Sequence, residues 1–291
     1  MEQRQYRLQV NGLTLQVNEW GPENARPIIM LHGIRGYSST FEGIARFLQP
    51  FYRVIAFDQR GRGQSQWDPG HNYYTDAYVD DLKQVIEQLG LKKTDLLGHS
   101  MGGINAIVFA AKYPEYVEKL IIEDAGPGAF ENSPGSIRIC RELENTPGTF
   151  ENWEAASVFM RQLRPSVTEQ ARQDRLKNML KPLEDGRYTW QYDHEGIAKT
   201  RLSPDPARVL ALMPYIRDIK CATLIIRGGN TDYLQKDMVQ AMLAENPLLD
   251  WCEIPDAGHY IHDDQPALFA HQVKQFLLPG QCALEENKSR N

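Results

Sequence analysis

The 291-residue sequence has few cysteines, no long apolar run and no excess of positive charge. Its four cysteines form no CxxC pair, which argues against a disulfide framework or a zinc site; they are Cys140, Cys221, Cys252 and Cys282. No uninterrupted apolar stretch is long enough to span a bilayer, and the first residues, MEQRQYRLQV, lack the apolar core of a signal peptide. The net charge of -6 disfavours nucleic acid and anionic membrane surfaces as partners. The sequence therefore predicts a cytoplasmic protein.

The sequence does contain a series of short apolar runs, each of which ends in glycine or in polar residues. The first two, YRLQV and LTLQV, flank an Asn-Gly pair and alternate apolar with polar residues, which predicts a β-hairpin. The later runs are continuously apolar, as in strands that are covered on both faces: PIIMLHG, YRVIAFD, DLLGHS, KLIIEDAG and ATLIIRGG. Helical patterns lie between them, so we expect an α/β fold with a mostly parallel, doubly wound sheet.

The alternation of strands and helices is interrupted over residues 126–213. This stretch reads as amphipathic helices, such as SIRICRELENT and TFENWEAASVFMRQL, and it has no strand of the buried type. We therefore predict a core formed by residues 1–125 and 214–291, with residues 126–213 inserted as a helical cap over it.

The stretch LLGHSMGG places Ser100 between two glycines at the junction of a strand and a helix. A serine in such a sharp turn is forced toward positive φ, and small neighbours must let the backbone pass close by. Gly98 and Gly102 provide that space. The following helix also directs its positive N-terminal end toward the place where an oxyanion would form. This context favours Ser100 as a nucleophile over a hydroxyl in an ordinary turn.

A serine nucleophile needs a base, and the base needs an acid that orients it. His259 and Asp232 both follow strand-like runs downstream of Ser100, at the carboxyl edge where open α/β sheets build their sites. Asp124 also follows such a run and competes with Asp232, but we expect it to cap the turn into the insertion. His262 is a rival base that we expect to be exposed.

Together these motifs resemble the α/β-hydrolase family over nearly the whole chain. LHGIRG is similar to the family's oxyanion turn, FDQRGRGQS to its Asp-x-x-Gly-x-Gly-x-Ser loop, and GHYIHDDQP to its catalytic-histidine segment. The resemblance implies a triad of Ser100, Asp232 and His259. It also implies an oxyanion hole formed by the backbone N–H groups of Ile34 and Met101.

Other residues near these motifs have weaker assignments. Arg35 follows the oxyanion residue and could meet a substrate carboxylate, although a solvated arginine is the simpler expectation. Four aromatic residues could line the pocket, although packing is the simpler expectation for each: Trp153, Trp190, Tyr192 and Tyr233. We expect His32 and His99 to brace loops, and Asp58 and Ser65 to brace the turn that they flank.

The serine at the elbow restricts the reaction to acyl transfer, because the epoxide hydrolases and haloalkane dehalogenases of this fold use an aspartate there. We expect an enzyme without cofactor or metal that cleaves a small carboxylic ester or lactone. The alternatives are an amide or carbon–carbon bond hydrolase of small carboxylic acids, and a ligand receptor without turnover on the same fold. The asparagine and tryptophan typical of the carbon–carbon hydrolases are missing. A homodimer is compatible with the sequence.

Overall fold

The computed structural model describes residues 3–128, 133–164 and 167–279. Its strands are β1 (Arg4–Val10), β2 (Leu13–Trp20), β3 (Arg26–Leu31), β4 (Tyr52–Phe57), β5 (Thr94–His99), β6 (Val117–Glu123), β7 (Thr149–Phe150), β8 (Leu180–Pro182), β9 (Tyr188–Trp190), β10 (Ala222–Gly228) and β11 (Leu249–Ile254). Its helices are α1 (Glu42–Leu48), α2 (Thr75–Gln88), α3 (Met101–Lys112), α4 (Pro134–Glu144), α5 (Trp153–Leu163), α6 (Glu169–Met179), α7 (His194–Leu202), α8 (Met213–Asp218), α9 (Lys236–Glu245), α10 (Ile261–Asp264) and α11 (Pro266–Leu277).

Eight strands form one sheet in the order β1-β2-β4-β3-β5-β6-β10-β11. β1 and β2 form the expected hairpin, and β2 runs antiparallel to β4; all the other neighbours are parallel. The two turn residues, Asn11 and Gly12, have φ values of +50° and +80°, as a tight hairpin turn requires. The prediction of an α/β fold with a mostly parallel sheet and an N-terminal hairpin is confirmed.

Helices cover both faces of this sheet. Apolar side chains of α2, α3, α8 and α9 pack on one face, among them Val85, Ile107 and Val239. On the other face α1 and α11 provide Leu48 and Phe269, among others. Because both faces are covered, the central strands are apolar along almost their whole length. The helices leave uncovered the end of the sheet at which β3, β5, β6 and β10 have their carboxyl termini.

The chain between β6 and β10 contains helices α4 to α8 and also a small sheet that the sequence reading missed. The strands β7, β9 and β8 pair antiparallel in that order. Each has only two or three residues, too few to show an alternating pattern. Phe150 and Trp190 on these strands pack with aromatic residues of the core, Tyr37 and Tyr78, in one buried cluster.

None of the helices between residues 3 and 279 combines the length and apolarity that crossing a bilayer requires. Cys140, Cys221 and Cys252 are free thiols, and Cys282 lies outside the described residues. Burial raises the pKa of Cys221 and of Cys252 to about 11, so both thiols remain protonated at neutral pH.

Candidate active site

Ser100 lies in a strained turn between β5 and α3. Its φ of +53° and ψ of -119° are rarely adopted by a residue with a side chain. A Cβ on Gly98 would lie 2.3 Å from the carbonyl oxygen of Gly102, and one on Gly102 would lie 2.1 Å from that of Leu31. Only glycine fits at these two positions. The Ser100 N–H donates to the carbonyl oxygen of Glu123 at 3.0 Å, which ties the turn to the end of β6.

Ser100 begins a chain of hydrogen bonds through His259 to Asp124. The Ser100 Oγ lies 2.9 Å from the Nε2 atom of His259, and the His259 Nδ1 atom lies 2.7 Å from the Oδ2 atom of Asp124. Burial lowers the pKa of His259 well below its usual value, and the charges of Arg138 and Arg164 lower it further. The imidazole is therefore neutral, donates Nδ1–H to the carboxylate and presents Nε2 to the serine hydroxyl.

Asp124 is held in this position by the turns at the ends of β6 and β10. Its φ is +46°, and its N–H donates to the carbonyl oxygen of Ile226 at 2.9 Å. The hydroxyl of Thr231 donates to Oδ2 at 2.6 Å, and the N–H of Gly228 lies 3.4 Å from Oδ1. Burial raises the pKa of Asp124, whereas these two donors and the charge of Arg227 act to lower it.

The expectation that Asp232 orients the histidine is wrong. Asp232 accepts two hydrogen bonds from Arg138 of α4, at 2.7 and 2.9 Å, and the nearby guanidinium lowers the pKa of its carboxyl. Its side chain is 39% exposed, whereas that of Asp124 is fully buried. Asp232 fastens the loop after β10 to the insertion instead, and its carbonyl oxygen also accepts the N–H of Gly135 at 2.9 Å.

His262 is buried, contrary to our expectation that it would be exposed. Its backbone N–H and its Nδ1 both lie near Glu123 Oε1, at 2.9 and 2.7 Å. Within the described residues, His99, Glu123 and His262 also form a group whose potential metal-ligand atoms all lie within 4.8 Å of one another. His99 contacts the His259 carbonyl oxygen at 2.8 Å through Nε2. These residues brace the histidine loop, as expected for His99.

The loop after β3 lies against the nucleophile. A Cβ on Gly33 would lie 3.3 Å from the Ser100 Cβ, so Ile34 follows directly beside the serine. Met101 is the first residue of α3, and its N–H therefore has no acceptor within the helix. Ile34 and Met101 line a common cavity. An oxyanion hole formed by their N–H groups stays a prediction. His32 braces the loop by accepting the Gln59 N–H at 3.0 Å.

The turn over residues 58–65 is braced as expected. Asp58 accepts the N–H groups of Ser38 and Gln64 at 2.6 and 2.9 Å, and the Ser65 hydroxyl donates to the Asp58 carbonyl oxygen at 2.5 Å.

Arg35 is buried and pairs with Glu142 of α4, which contradicts the expectation of a solvated arginine. Tyr233 packs on His259 with the ring centroids 4.4 Å apart. Tyr192 is also buried.

Two of the remaining aromatic residues pack within the insertion. Trp190 is buried and donates its Nε1–H to the Pro147 carbonyl oxygen at 2.6 Å. Trp153 is half-buried and donates to Gln173 at 2.7 Å.

Sequence reasoning missed Arg164, Tyr260 and Glu142, which also lie in this region. Tyr260 packs edge-on against His259, with ring centroids 5.1 Å apart, and the Arg164 guanidinium lies over the Tyr260 ring. The position of Tyr260 next to His259 in the sequence could have indicated its place. Glu142 lies on α4 and Arg164 directly follows α5, and nothing in their sequence context points to the site. A cavity of about 600 Å³ separates α4 from α5.

A parallel sheet with a serine at a strained strand-to-helix turn, joined by hydrogen bonds to a histidine and an aspartate, defines the serine hydrolase class of α/β proteins. The chain belongs to the α/β-hydrolase family, whose sequence model matches residues 26–266. The protein is a hydrolase.

Three similarities illustrate the breadth of this family. The chain is 31% identical over 265 residues to an sn-1-specific diacylglycerol lipase ABHD11 of Danio rerio, covering 89% of this chain and 80% of the relative. It is 26% identical over 273 residues to a 2-(acetamidomethylene)succinate hydrolase of Mesorhizobium japonicum, covering 93% and 94%. A crystal structure of E-2-(acetamidomethylene)succinate hydrolase superposes with a TM-score of 0.84 at 25% identity, covering 95% of this chain and 99% of the other.

Proposed function

We propose that the protein hydrolyses a small carboxylic ester or lactone through an acyl-enzyme on Ser100, with His259 as the base and Asp124 as the acid. The observation that carries this proposal is the continuous chain of hydrogen bonds, 2.9 Å from Ser100 to His259 and 2.7 Å from His259 to Asp124. Such distances suit proton transfer between a nucleophile and its base.

In the first half-reaction, the Ser100 oxygen attacks the carbonyl carbon while its proton moves to His259 Nε2. The oxyanion of the tetrahedral intermediate accepts the N–H groups of Ile34 and Met101. The intermediate collapses, the bond to the leaving oxygen breaks, and His259 returns its proton to that oxygen. In the second half, His259 takes a proton from water, the hydroxide attacks the acyl-enzyme, and the carboxylic acid leaves as Ser100 regains its proton.

Asp124 has two roles in this scheme. By accepting Nδ1–H it fixes the tautomer in which Nε2 faces Ser100, and its negative charge stabilises the imidazolium that forms during attack. Thr231 and Gly228 keep the carboxylate oriented by donating to it. The same arrangement can cleave an amide, provided that His259 protonates the leaving nitrogen before the bond breaks.

Amide hydrolysis is the second candidate reaction. It is favoured by the likeness, in both sequence and structure, to 2-(acetamidomethylene)succinate hydrolase. A panel of short esters, lactones, amides and vinylogous diketones assayed side by side separates the candidates. We expect the best ester or lactone to exceed the best amide in kcat/KM. A preference for the amide by more than about tenfold, equal to about 1.4 kcal/mol, would make the ester activity secondary.

The nucleophile is tested by Ser100→Ala, which removes only the hydroxyl. We expect turnover to fall by roughly five orders of magnitude or more and covalent labelling by a fluorophosphonate to vanish. Ser157→Ala, at a buried serine of α5, is the matched control and should leave both unchanged. Labelling that persists in Ser100→Ala would place the nucleophile elsewhere. Labelling of the wild type without steady turnover of any substrate in the panel would favour the receptor alternative.

A further inference from the structure

Arg35 carries an incompletely paired positive charge and belongs to the loop that lies against the nucleophile. It lies two residues after Gly33, at which a Cβ would approach the Ser100 Cβ to 3.3 Å. Its side chain is only 4% exposed, and its Nη2 atom pairs with Glu142. The Nη1 atom is fully buried and has no hydrogen-bond partner among the described residues. A buried guanidinium N–H without an acceptor is costly, and its cost is removed when an anion accepts it.

Tyr192 presents a second unpaired donor in the same region. Its side chain is 2% exposed, and within the described residues its buried hydroxyl also lacks a partner. Burial raises the pKa of this hydroxyl, and the positive charge of nearby Arg35 partly opposes that rise. The hydroxyl therefore stays protonated and can donate. Other buried tyrosines near the insertion are paired; the Tyr73 hydroxyl, for example, donates to Asp193 at 2.6 Å.

Arg164 adds a second guanidinium, which forms no ion pair with a carboxylate of the described residues. Its central carbon lies 3.3 Å from the centroid of the Tyr260 ring, and Tyr260 in turn packs against His259. No carboxylate oxygen of the described chain lies within 4 Å of it, whereas Arg175, the next arginine over the same ring, pairs with Asp263. Burial lowers the pKa of Arg164 to about 10, so the group is desolvated but still charged at neutral pH.

We propose that Arg35, Arg164 and Tyr192 form an anion subsite beside Ser100 that binds a free carboxylate of the substrate. This inference rests on the proposed function and specifies its substrate class: acyl compounds in which a second, ionised carboxyl group lies a few bonds from the scissile carbonyl. The carboxylate accepts the Arg35 and Tyr192 donors and neutralises Arg164. Glu142, which Arg35 shares with Arg138, limits the subsite to one negative charge.

The substrate test compares two ethyl esters of nearly equal shape, monoethyl succinate and ethyl butyrate, in which a carboxylate replaces a methyl group. With hydrolysis followed by pH-stat, we expect the wild type to prefer monoethyl succinate in kcat/KM by about tenfold or more. Equal rates, or a preference for ethyl butyrate, would overturn the subsite.

The residue test uses Tyr192→Phe and Arg164→Gln. Each should reduce the preference for monoethyl succinate by about tenfold, mainly through KM, because a charged hydrogen bond or ion pair is lost. Tyr192→Phe removes only an unpaired hydroxyl and should fold normally, so the test does not depend on Arg164→Gln. The control for Arg164→Gln is Arg161→Gln, at an exposed arginine of α5, the helix that ends just before Arg164. The control for Tyr192→Phe is Tyr188→Phe in β9. An unchanged preference in both test variants would overturn the assignment.

Succinate binding separates this proposal from the proposed function. In Ser100→Ala, which cannot form an acyl-enzyme, succinate should still raise the melting temperature, and Tyr192→Phe added to that variant should weaken the effect. A rise in melting temperature that Tyr192→Phe abolishes supports the subsite. If Ser100→Ala still turns over esters, that result overturns the proposed nucleophile but not the subsite. Absence of any shift at millimolar succinate would overturn the subsite while leaving the ester chemistry in place.

Discussion

At the scale of single residues, the two aspartates that follow β6 and β10 have exchanged the roles expected of them. Asp124 contacts His259, and Asp232 pairs with Arg138. We expect Asp124→Asn to lower kcat by about three to four orders of magnitude, because an amide no longer enforces the Nδ1–H tautomer of the histidine. Asp232→Asn should cost less than about tenfold, since it weakens a half-exposed ion pair.

Steady-state kinetics on one ester, with circular dichroism to verify folding, measures both variants. Equal losses, or a larger loss in Asp232→Asn, would return the acid role to Asp232. The sequence could not decide between them because both residues end parallel strands at the same sheet edge. What distinguishes them is their hydrogen-bond partners. Thr231 and Gly228 donate to Asp124, whereas Asp232 pairs with Arg138, an arginine 94 positions away in the chain.

The strained backbone of Ser100 has a consequence for stability. Its φ of +53° suits glycine, so Ser100→Gly should relieve strain that Ser100→Ala retains. We expect the free energy of unfolding of Ser100→Gly to exceed that of Ser100→Ala by about 1 kcal/mol, and both variants to be inactive. Urea denaturation of the two variants measures the difference. A less stable glycine variant would show that the turn stores no strain at this residue.

At the scale of secondary-structure elements, the inserted segment is held by an aromatic cluster that it shares with the core. Trp190 of β9 is 1% exposed and packs edge-on against Phe150, 5.3 Å away between ring centroids. We expect Trp190→Ala to lower the free energy of unfolding by about 3–5 kcal/mol. Trp153→Ala, at a half-buried residue on the same segment, should cost much less. Thermal or urea denaturation of both variants tests this, and equal losses would mean that Trp190 is not central to the packing.

The elements of the sheet were easier to predict from sequence than those of the insertion. The core strands are continuous apolar runs, and the nucleophile turn has steric needs that Gly98 and Gly102 reveal. The strands β7, β8 and β9 pair through two or three residues each, and their stability comes from tertiary contacts such as that of Phe150 with Trp190. Neither local preference nor periodicity signals such pairs. The contacts of Arg35 with Glu142 and of Arg164 with Tyr260 are also tertiary, so the sequence around each arginine could not predict them.

At the scale of the whole molecule, buried neutral histidines link stability to pH. Burial lowers the pKa of His32 from 6.5 to about 3. A hydrogen bond to the Gly33 backbone acts to raise this pKa, whereas the charges of Arg62 and His99 lower it further. Between these two pH values the unfolded chain binds one more proton at this residue than the folded protein does. Stability is therefore complete above pH 6.5 and falls as the pH decreases toward 3.

One such group contributes up to about 1.4 kcal/mol per pH unit to the slope. Replacing His32 by Gln removes the titration, so the slope of unfolding free energy between pH 6 and 4 should become shallower by about that amount. His271→Gln, at an exposed position of α11, is the control. Urea denaturation across this pH range gives both slopes. An unchanged slope in His32→Gln would show that His32 takes up its proton without unfolding.

Two ion pairs, one of them to Asp232, attach α4 to the core. Arg138 and Glu142 of this helix pair with Asp232 and Arg35 of the core, and both residues also line the cavity of about 600 Å³ between α4 and α5. The opposite side of the insertion is held by the apolar aromatic cluster, which salt does not weaken. Because salt shortens the range of exposed charges to about 3 Å at 1 M, the half-exposed Arg138–Asp232 pair should weaken with salt, and α4 should loosen before the aromatic cluster does. Hydrogen exchange in residues 134–144 should therefore accelerate with sodium chloride while β9 remains protected, and uniform exchange would contradict this. The concentration of salt around the protein would then set how firmly α4 stays docked on the core.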